Sequence, residues 1–229
     1  MYVPNYVPEP LEVPGNVTQD TYLARVRFIK LVTALHLLSL AAVTVLCMAP
    51  LPQTGLIASL TSLGALLILL ELLRISLRGR KSEAVVSAAL LPIVLLFVSA
   101  AATALEARAV PVWCVLFGPA FCGVYTLLCG RDYSFIGCLC LSLVGSSTAL
   151  AGCAIACGMS ERETMIGLGL NFVYLVYFVY DLAALLARRR QGEAFAAVVD
   201  LYRDVFNVFG YLVRVIGHWR KHKIWVAPR

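Results

Sequence analysis

Charged residues are scarce in this chain: Lys, Arg, Asp and Glu make up 14% of its 229 residues. A soluble domain carries about 25%, so this chain has too few charges to cover a water-facing surface. Hydrophobic residues make up 61%, and the mean hydropathy is +0.85. The composition excludes a soluble enzyme, a disordered chain and a nucleic-acid binder with a basic face. We therefore predict an all-α polytopic membrane protein whose surface meets the lipid bilayer.

The sequence also lacks the patterns of catalysis and metal binding. It has no nucleophile–base pair, phosphate-binding loop or set of metal ligands, so we expect neither an enzyme nor a cofactor. Its eight cysteines lie within or at the ends of apolar stretches. Their spacing fits neither a zinc site nor the disulfide framework of a secreted protein. We interpret them as buried small hydrophobic residues.

Seven apolar stretches of about 20 residues predict seven transmembrane helices. They are residues 28–49, 55–77, 84–105, 110–129, 133–157, 164–187 and 194–217. Before them, residues 1–22 form a proline-rich tail that we expect to be extended or disordered. The seven-helix domain then covers residues 23–217, and a basic tail covers residues 218–229.

Basic residues are distributed unevenly between the predicted loops. With a cytoplasmic amino terminus, eleven Lys and Arg flank the first six stretches on the cytoplasmic side, against two, Arg108 and Arg162, on the other. The positive-inside rule therefore favours this orientation. Residues 188–190 count among the eleven as part of a cytoplasmic loop. A further basic group, residues 220–223, follows the seventh stretch and leaves the side of the carboxyl terminus open.

The seventh stretch differs from the other six because it carries ionisable residues along one helical face. Groups of this kind at membrane depth nearly always face the bundle interior or a wet cavity. The alternative is an amphipathic helix that lies on the membrane surface. The sixth stretch offers a partner, Asp181, with Asn171 on a similar face. The polar face of the seventh stretch comprises Asp200, Asp204, Asn207, Tyr211 and Arg214, with Arg203 beside it.

Asp181 and Asp204 are the candidate functional pair. Two carboxyl groups that approach across packed helices cannot both ionise cheaply, so they tend to share a proton. A shared proton would close a hydrogen-bonded latch, whereas the ionised pair would repel or hold a cation. Carboxylate oxygens suit calcium better than a soft metal. We therefore predict that Asp181 and Asp204 are calcium ligands.

Smaller patterns predict packing. Glu71 and Arg74 are three residues apart, which is ion-pair spacing on a helix and fits either an interfacial salt bridge or a role in the latch. We expect His36, in the middle of the first helix, to be a hydrogen-bonded packing residue. Gly167 and Gly169 predict a small-residue face on the sixth helix.

The carboxyl-terminal pattern resembles the signature of the transmembrane BAX inhibitor motif family. That signature is a Tyr-Asp closing helix six and a Leu-Tyr-x-Asp-x-x-Asn-x-Phe in helix seven. Here these are Tyr180-Asp181 and residues 201–209, and Asp181 and Asp204 are 23 residues apart. Weaker matches lie at residues 25–30 and 125–134. Together the matches extend from the start of the first stretch into the seventh.

The chain also departs from the family pattern. Residues 89–94, in the third stretch, contain no acid where the family often has a Glu. Arg203 stands in place of an apolar residue. In these departures the chain resembles the virus-encoded branch of the family, which includes cytomegalovirus seven-transmembrane proteins and poxvirus Golgi anti-apoptotic proteins.

The resemblance implies a seven-helix bundle with a central seventh helix that acts as a calcium leak channel, or viroporin. Such proteins lie in the endoplasmic reticulum, Golgi or plasma membrane, lower stored calcium and oppose apoptosis. Asp181 and Asp204 would be the gate and pH sensor, and Arg74 or Arg78 would latch it. Calcium is then the permeant ion and not a cofactor. The alternative is a non-conducting viral adaptor that binds or diverts host membrane proteins, since Arg203 and the altered third helix fit a degenerate pore.

Overall fold

The structure is a computed structural model that describes residues 13–49, 54–77, 79–131 and 133–204. These residues form seven α-helices and two short 3-10 segments, and no β-strand occurs among them. The helices are α1 (Tyr22–Met48), α2 (Leu56–Ser76), α3 (Lys81–Glu106), α4 (Phe117–Leu128), α5 (Phe135–Ala156), α6 (Glu161–Arg188) and α7 (Ala194–Arg203).

Five of these helices, α1, α2, α3, α5 and α6, are long and apolar enough to cross a membrane. The predicted fourth stretch is divided: a 3-10 segment, Val112–Leu116, leads directly into the shorter α4. The predicted class, an all-α polytopic membrane protein, is confirmed. The third helix begins at Lys81, three residues before the predicted apolar stretch, and this difference brings two charged residues, Lys81 and Glu83, into its first turn.

Helices α6 and α7 occupy the interior of the bundle. In α6, 72% of the apolar stretch is buried, against 17–33% in the other four long helices. Nine of the ten residues of α7 are buried, and the helix packs on α1, α2, α3 and α6. The described part of the charged seventh helix is therefore internal. The alternative of a helix on the membrane surface is wrong for this part.

Local sequence determines where α6 begins and ends. Ser160 and Glu163 form a capping box at its start, since each side chain accepts a hydrogen bond from the other residue's backbone N–H. The helix continues to Arg188, seven residues beyond Asp181. Seven residues are about two helical turns, so Asp181 and Arg188 lie on the same face of α6.

Residues 13–20, here called the amino-terminal strap, lie against the end of α6. The Val13 N–H donates to the carbonyl of Ala187 at 3.1 Å, and the Val17 N–H donates to that of Arg189 at 2.9 Å. Asn16 is 1% exposed, and its side chain accepts from the N–H of Thr18 at 3.0 Å. The predicted disorder is therefore wrong for this end of the tail, because its backbone bonds to otherwise unpaired carbonyls of a helix end.

The two glycines predicted to form one packing face of α6 have different surroundings. A Cβ on Gly167 would lie 2.7 Å from the sulfur of Cys114, whereas a Cβ on Gly169 would have no atom within 4 Å. Residues two apart on a helix do not share a face, which explains the difference. The prediction holds for Gly167 alone.

The cysteines are only partly as predicted. All eight are free, and the most enclosed, Cys114, Cys122 and Cys138, are buried. Cys140 and Cys157 are exposed on the outside of the bundle. In a membrane protein the outer surface is also apolar, so a small hydrophobic residue is tolerated there as well as in the core.

Candidate functional site: a buried charge cluster

A cluster of acids and arginines lies where α6 and α7 meet α2 and α3. Four of its carboxylates and its four arginines are buried, and one more acid, Glu71, keeps 41% of its side chain exposed. Buried charges are tolerated only when they are paired, and the numbers of buried acids and bases match. The members are Glu71, Arg74, Glu83, Asp181, Arg188, Arg189, Asp200, Arg203 and Asp204.

Asp204, at the end of α7, is held by three arginines. Arg74 Nη1 and Arg203 Nε each donate to its Oδ1 at 3.2 Å. Arg188 Nη1 donates to its Oδ2. These arginines come from α2, α7 and α6, so the carboxylate joins three helices through charge-assisted hydrogen bonds. Of the two arginines on helix two that are predicted to latch the gate, Arg74 contacts Asp204, and Arg78 lies outside the described residues.

Asp181 is linked to Asp204 through an arginine. Arg188 Nη1 donates to Asp181 Oδ1 at 3.2 Å as well as to Asp204. The other oxygen of Asp181, Oδ2, is buried and has no hydrogen-bond partner among the described residues. The sequence predicts that a shared proton or a calcium ion joins the two carboxylates. In the structure the guanidinium of Arg188 takes that role, so calcium could bind the pair only after Arg188 moves.

Arg189 forms the most complete set of ion pairs in the cluster. Its Nη1 and Nη2 donate to the two oxygens of Glu83 at 2.5 and 3.0 Å. Its Nε and Nη2 donate to the two oxygens of Asp200 at 2.6 and 2.7 Å. Burial opposes the charge of Arg189, but Asp200 and Glu83 outweigh burial and raise the pKa of the guanidinium above its ordinary value. This bidentate geometry ties α3 to α7.

Arg203 connects the remaining acids. It donates to Asp200 one turn earlier on α7. Its Nε lies 3.1 Å from Glu71 Oε2, and its Nη1 lies 3.9 Å from Glu83 Oε1. Glu71 also forms the predicted ion pair with Arg74, at 3.5 Å. Arg203 therefore pairs with acids from α2, α3 and α7.

Three members of the cluster, Glu83, Arg188 and Arg189, are absent from the sequence prediction, and a fourth, Glu71, is predicted only as the ion-pair partner of Arg74. Residues 89–94 contain no acid, but α3 begins at Lys81, before the predicted stretch 84–105, and buries Glu83 in its first turn. The sequence predicts that Arg188 and Arg189 are loop residues on the cytoplasmic side. In the structure they are buried, with exposed fractions of 9% and 2%. The spacing of seven residues between Asp181 and Arg188 is a signal that could have placed Arg188 in the site.

Other predicted site residues lie elsewhere. Asn171 is ten residues before Asp181 on α6, which is about 15 Å along the helix. Its side chain donates to Ser146 Oγ on α5 at 2.9 Å, so it does not join the charge cluster. The predicted members Asn207, Tyr211 and Arg214 lie outside the described residues.

A second polar group, centred on His36, joins α1 to α6 and α7. His36 Nε2 is 2.9 Å from the hydroxyl of Tyr174, and its ring stacks on Phe178. Ser39 Oγ is 2.7 Å from the hydroxyl of Tyr202. These contacts confirm that His36 is a hydrogen-bonded packing residue. Tyr174 and Tyr202 also line a mainly apolar cavity of about 490 Å³.

Helix α7 contributes to both the cavity and the charge cluster. Its residues Leu201 and Tyr202 line the 490 Å³ cavity. Asp200 lines a much smaller pocket of about 20 Å³, together with Val13 of the strap, Gly79 and cluster arginines. That volume is enough for about one water molecule. A displacement of α7 would therefore alter both spaces.

Comparison of the chain with protein-family models, with curated proteins and with solved structures finds no match to any of them. Membership of the transmembrane BAX inhibitor motif family thus stays a prediction that rests on the residues of the signature.

Proposed function

We propose that the chain is a pH-sensitive cation leak of intracellular membranes, with calcium as the permeant ion, and that the described arrangement is its closed form. The observation that carries the proposal is the buried ion-pair cluster, in which arginines from different helices hold Asp204 beside Asp181. The resemblance to the family supports the same assignment. In this proposal the amino terminus is cytoplasmic, the membrane is that of the endoplasmic reticulum or Golgi, and the leak lowers stored calcium and opposes apoptosis.

The gate in this proposal is a set of arginine–carboxylate contacts. While Asp204 is ionised, its arginine partners hold α7 against α2 and α6. Arginine stays protonated throughout the physiological range, so only the carboxylates can respond to pH. Asp181 is the carboxylate best suited to take a proton, because among the described residues its Oδ2 has no hydrogen-bond partner and its ion pair is with Arg188 alone.

This arrangement sets the expected direction of the pH effect. A proton on Asp181 would cancel its attraction for Arg188, which lies on the same helix, and would leave the buried cluster with one more positive than negative charge. An uncompensated buried charge is costly, so the closed arrangement would become less stable. Acid should therefore increase the leak. A gate that is closed by a proton shared between two aspartates would show the opposite direction.

The test is calcium efflux from proteoliposomes that contain the purified protein, at pH values between about 6 and 8. We expect efflux from the unmodified protein to rise as the pH falls. Asp204→Asn should leak more at every pH, because three arginines lose their shared carboxylate. Asp181→Asn should leak with a weaker pH dependence. Glu161→Gln is the matched control, since Glu161 is an exposed acid at the opposite end of α6.

Absence of efflux from all of these proteins, with folding confirmed by circular dichroism, would contradict the proposal. Calcium efflux that decreases on acidification would support conduction but contradict the arginine gate.

The second candidate function is a non-conducting adaptor that binds host membrane proteins. The observation that favours it is the presence of four buried arginines in the cluster, since positive charge in a path opposes the entry of cations. Purification from expressing cells would then yield membrane proteins that stay bound to the Asp204→Asn variant. Retention of such partners, combined with absence of efflux, would favour the adaptor over the leak.

A further inference from the structure

We propose that the guanidinium of Arg188 is a resident counter-cation of the Asp181–Asp204 pair, and that it keeps a proton or a divalent cation out of the site while it is in place. This inference deepens the proposed function, because it names the group that a permeant cation must displace. It assigns a role to a residue that lies outside the predicted Asp pair and its latch.

The position of Arg188 is that of a bridging cation. One nitrogen, Nη1, donates to Asp181 Oδ1 and to Asp204 Oδ2. Both carboxylates are 1% exposed, so water does not solvate them. A buried pair of carboxylates needs a positive charge or a proton between them, and Arg188 supplies the charge.

The bridge that Arg188 forms between the two aspartates does not use all of their hydrogen-bonding atoms. Asp181 Oδ2 and Arg188 Nε are both buried and have no hydrogen-bond partner among the described residues. The neighbouring Arg189 differs, because it donates four hydrogen bonds from three nitrogens to its two acids. Among the residues that the structure describes, Arg188 is thus held through one nitrogen and Arg189 through three. Of the two, Arg188 is the arginine that another cation can replace at the lower cost.

The charge balance predicts what happens without Arg188. The cluster buries four carboxylates and four arginines. Neutralising Arg188 would leave one uncompensated negative charge, which is costly in a low-dielectric interior. A proton or a calcium ion would restore the balance, and the open oxygen of Asp181 provides an additional ligand for either.

The experiment measures the thermal unfolding of the purified protein in detergent, with and without millimolar calcium chloride, for the unmodified protein and Arg188→Gln. We expect calcium to leave the melting temperature of the unmodified protein unchanged and to raise that of Arg188→Gln by about 3 °C or more. Lower pH should likewise stabilise Arg188→Gln relative to the unmodified protein. Magnesium at the same concentration reports whether the vacated site prefers calcium.

Arg190→Gln is the matched control. Arg190 is two residues away and pairs with Glu193 outside the cluster, at 2.9 Å. It should respond to calcium as the unmodified protein does. Arg188→Lys keeps the charge and should also show no calcium effect. A calcium response in Arg190→Gln, or none in a folded Arg188→Gln at any pH, would overturn the inference.

A second variant decides the case in which Arg188→Gln does not fold. Arg188→Gln combined with Asp181→Asn restores the balance of charge, so it should fold and show no calcium response. Recovery of the double variant supports a counter-charge role, and failure of the double variant contradicts it.

Efflux from the same proteins separates this inference from the leak itself. Calcium-dependent stabilisation without efflux would retain Arg188 as a counter-cation and reject the leak. The opposite result is efflux from the unmodified protein, together with a melting temperature of Arg188→Gln that does not respond to calcium or pH. It would support the leak and contradict the role of Arg188.

Discussion

Replacement of Arg189 by methionine tests whether the charge cluster holds the bundle together. Arg189 donates to both oxygens of Glu83 and both of Asp200, and its side chain is 3% exposed. Arg189→Met would keep much of the side-chain volume but remove the cation between two buried acids. Loss of one partner from a buried ion pair costs about 3–5 kcal/mol, because the other partner stays buried without compensation. We expect a loss of unfolding free energy in that range.

The assay is equilibrium unfolding in mixed micelles, followed by far-ultraviolet circular dichroism. The neighbouring variant Arg190→Met provides the comparison, since Arg190 keeps 24% of its side chain exposed and pairs with Glu193. Partly exposed pairs of this kind contribute about 0–1 kcal/mol. The two substitutions remove the same chemical group from adjacent positions, so a difference of a few kcal/mol between them reports burial and pairing.

A double-mutant cycle identifies the source of the effect. Adding Glu83→Gln to Arg189→Met removes one of the two carboxylates that Arg189 pairs, which restores the balance of buried charge, and should recover part of the lost stability. Acid should recover stability in Arg189→Met as well, because protonation neutralises the same carboxylates. Equal losses for Arg189→Met and Arg190→Met, or a loss below about 1 kcal/mol for Arg189→Met, would refute the reasoning.

Four further substitutions test the packing around the site by the same unfolding assay. Gly167→Ala should cost about 1–3 kcal/mol through overpacking, whereas Gly169→Ala should be neutral or stabilise by up to about 1 kcal/mol; equal effects would contradict the described packing. Tyr202→Phe should cost about 1 kcal/mol, because it removes the hydrogen bond to Ser39; no loss would exclude a structural role for that bond. Asn16→Ala should cost about 1 kcal/mol by uncapping the 3-10 turn of the strap, and an unchanged stability would indicate that the strap is not packed in solution.

The sequence predicts the helices well because hydropathy alone determines where a membrane helix can lie. The predicted stretch 55–77 and the helix Leu56–Ser76 nearly coincide. The ends are less accurate, since a helix continues past its apolar part when charged residues find partners. Helix α3 illustrates this: its first turn contains Glu83, which a hydropathy criterion excludes and which pairs with Arg189.

The site is only half predictable for a related reason. Asp200, Arg203 and Asp204 stand out in an apolar stretch, and helical spacing places them together. Arg188 and Arg189 do not stand out, because they continue a basic run that resembles an ordinary cytoplasmic loop. Their burial depends on the approach of α3 and α7, whose acids are 106 and 11 residues away from Arg189 in the chain. The spacing from Asp181 could have indicated Arg188, but no pattern in the single sequence indicates the partners of Arg189.

The arginines also determine how the two candidate functions differ physically. A pair of aspartates alone would attract calcium and would conduct once a path opened. A cluster in which each buried carboxylate is matched by an arginine is neutral and attracts no cation until one arginine leaves. Conduction therefore requires an exchangeable arginine, and the adaptor requires none. Among the described residues, Arg188 is held through a single nitrogen and Arg189 through three, so Arg188 is the arginine that an opening gate would release. Greater efflux from Arg188→Gln than from the unmodified protein would therefore indicate a gate that can open, and absence of efflux from both would indicate a scaffold that is permanently closed.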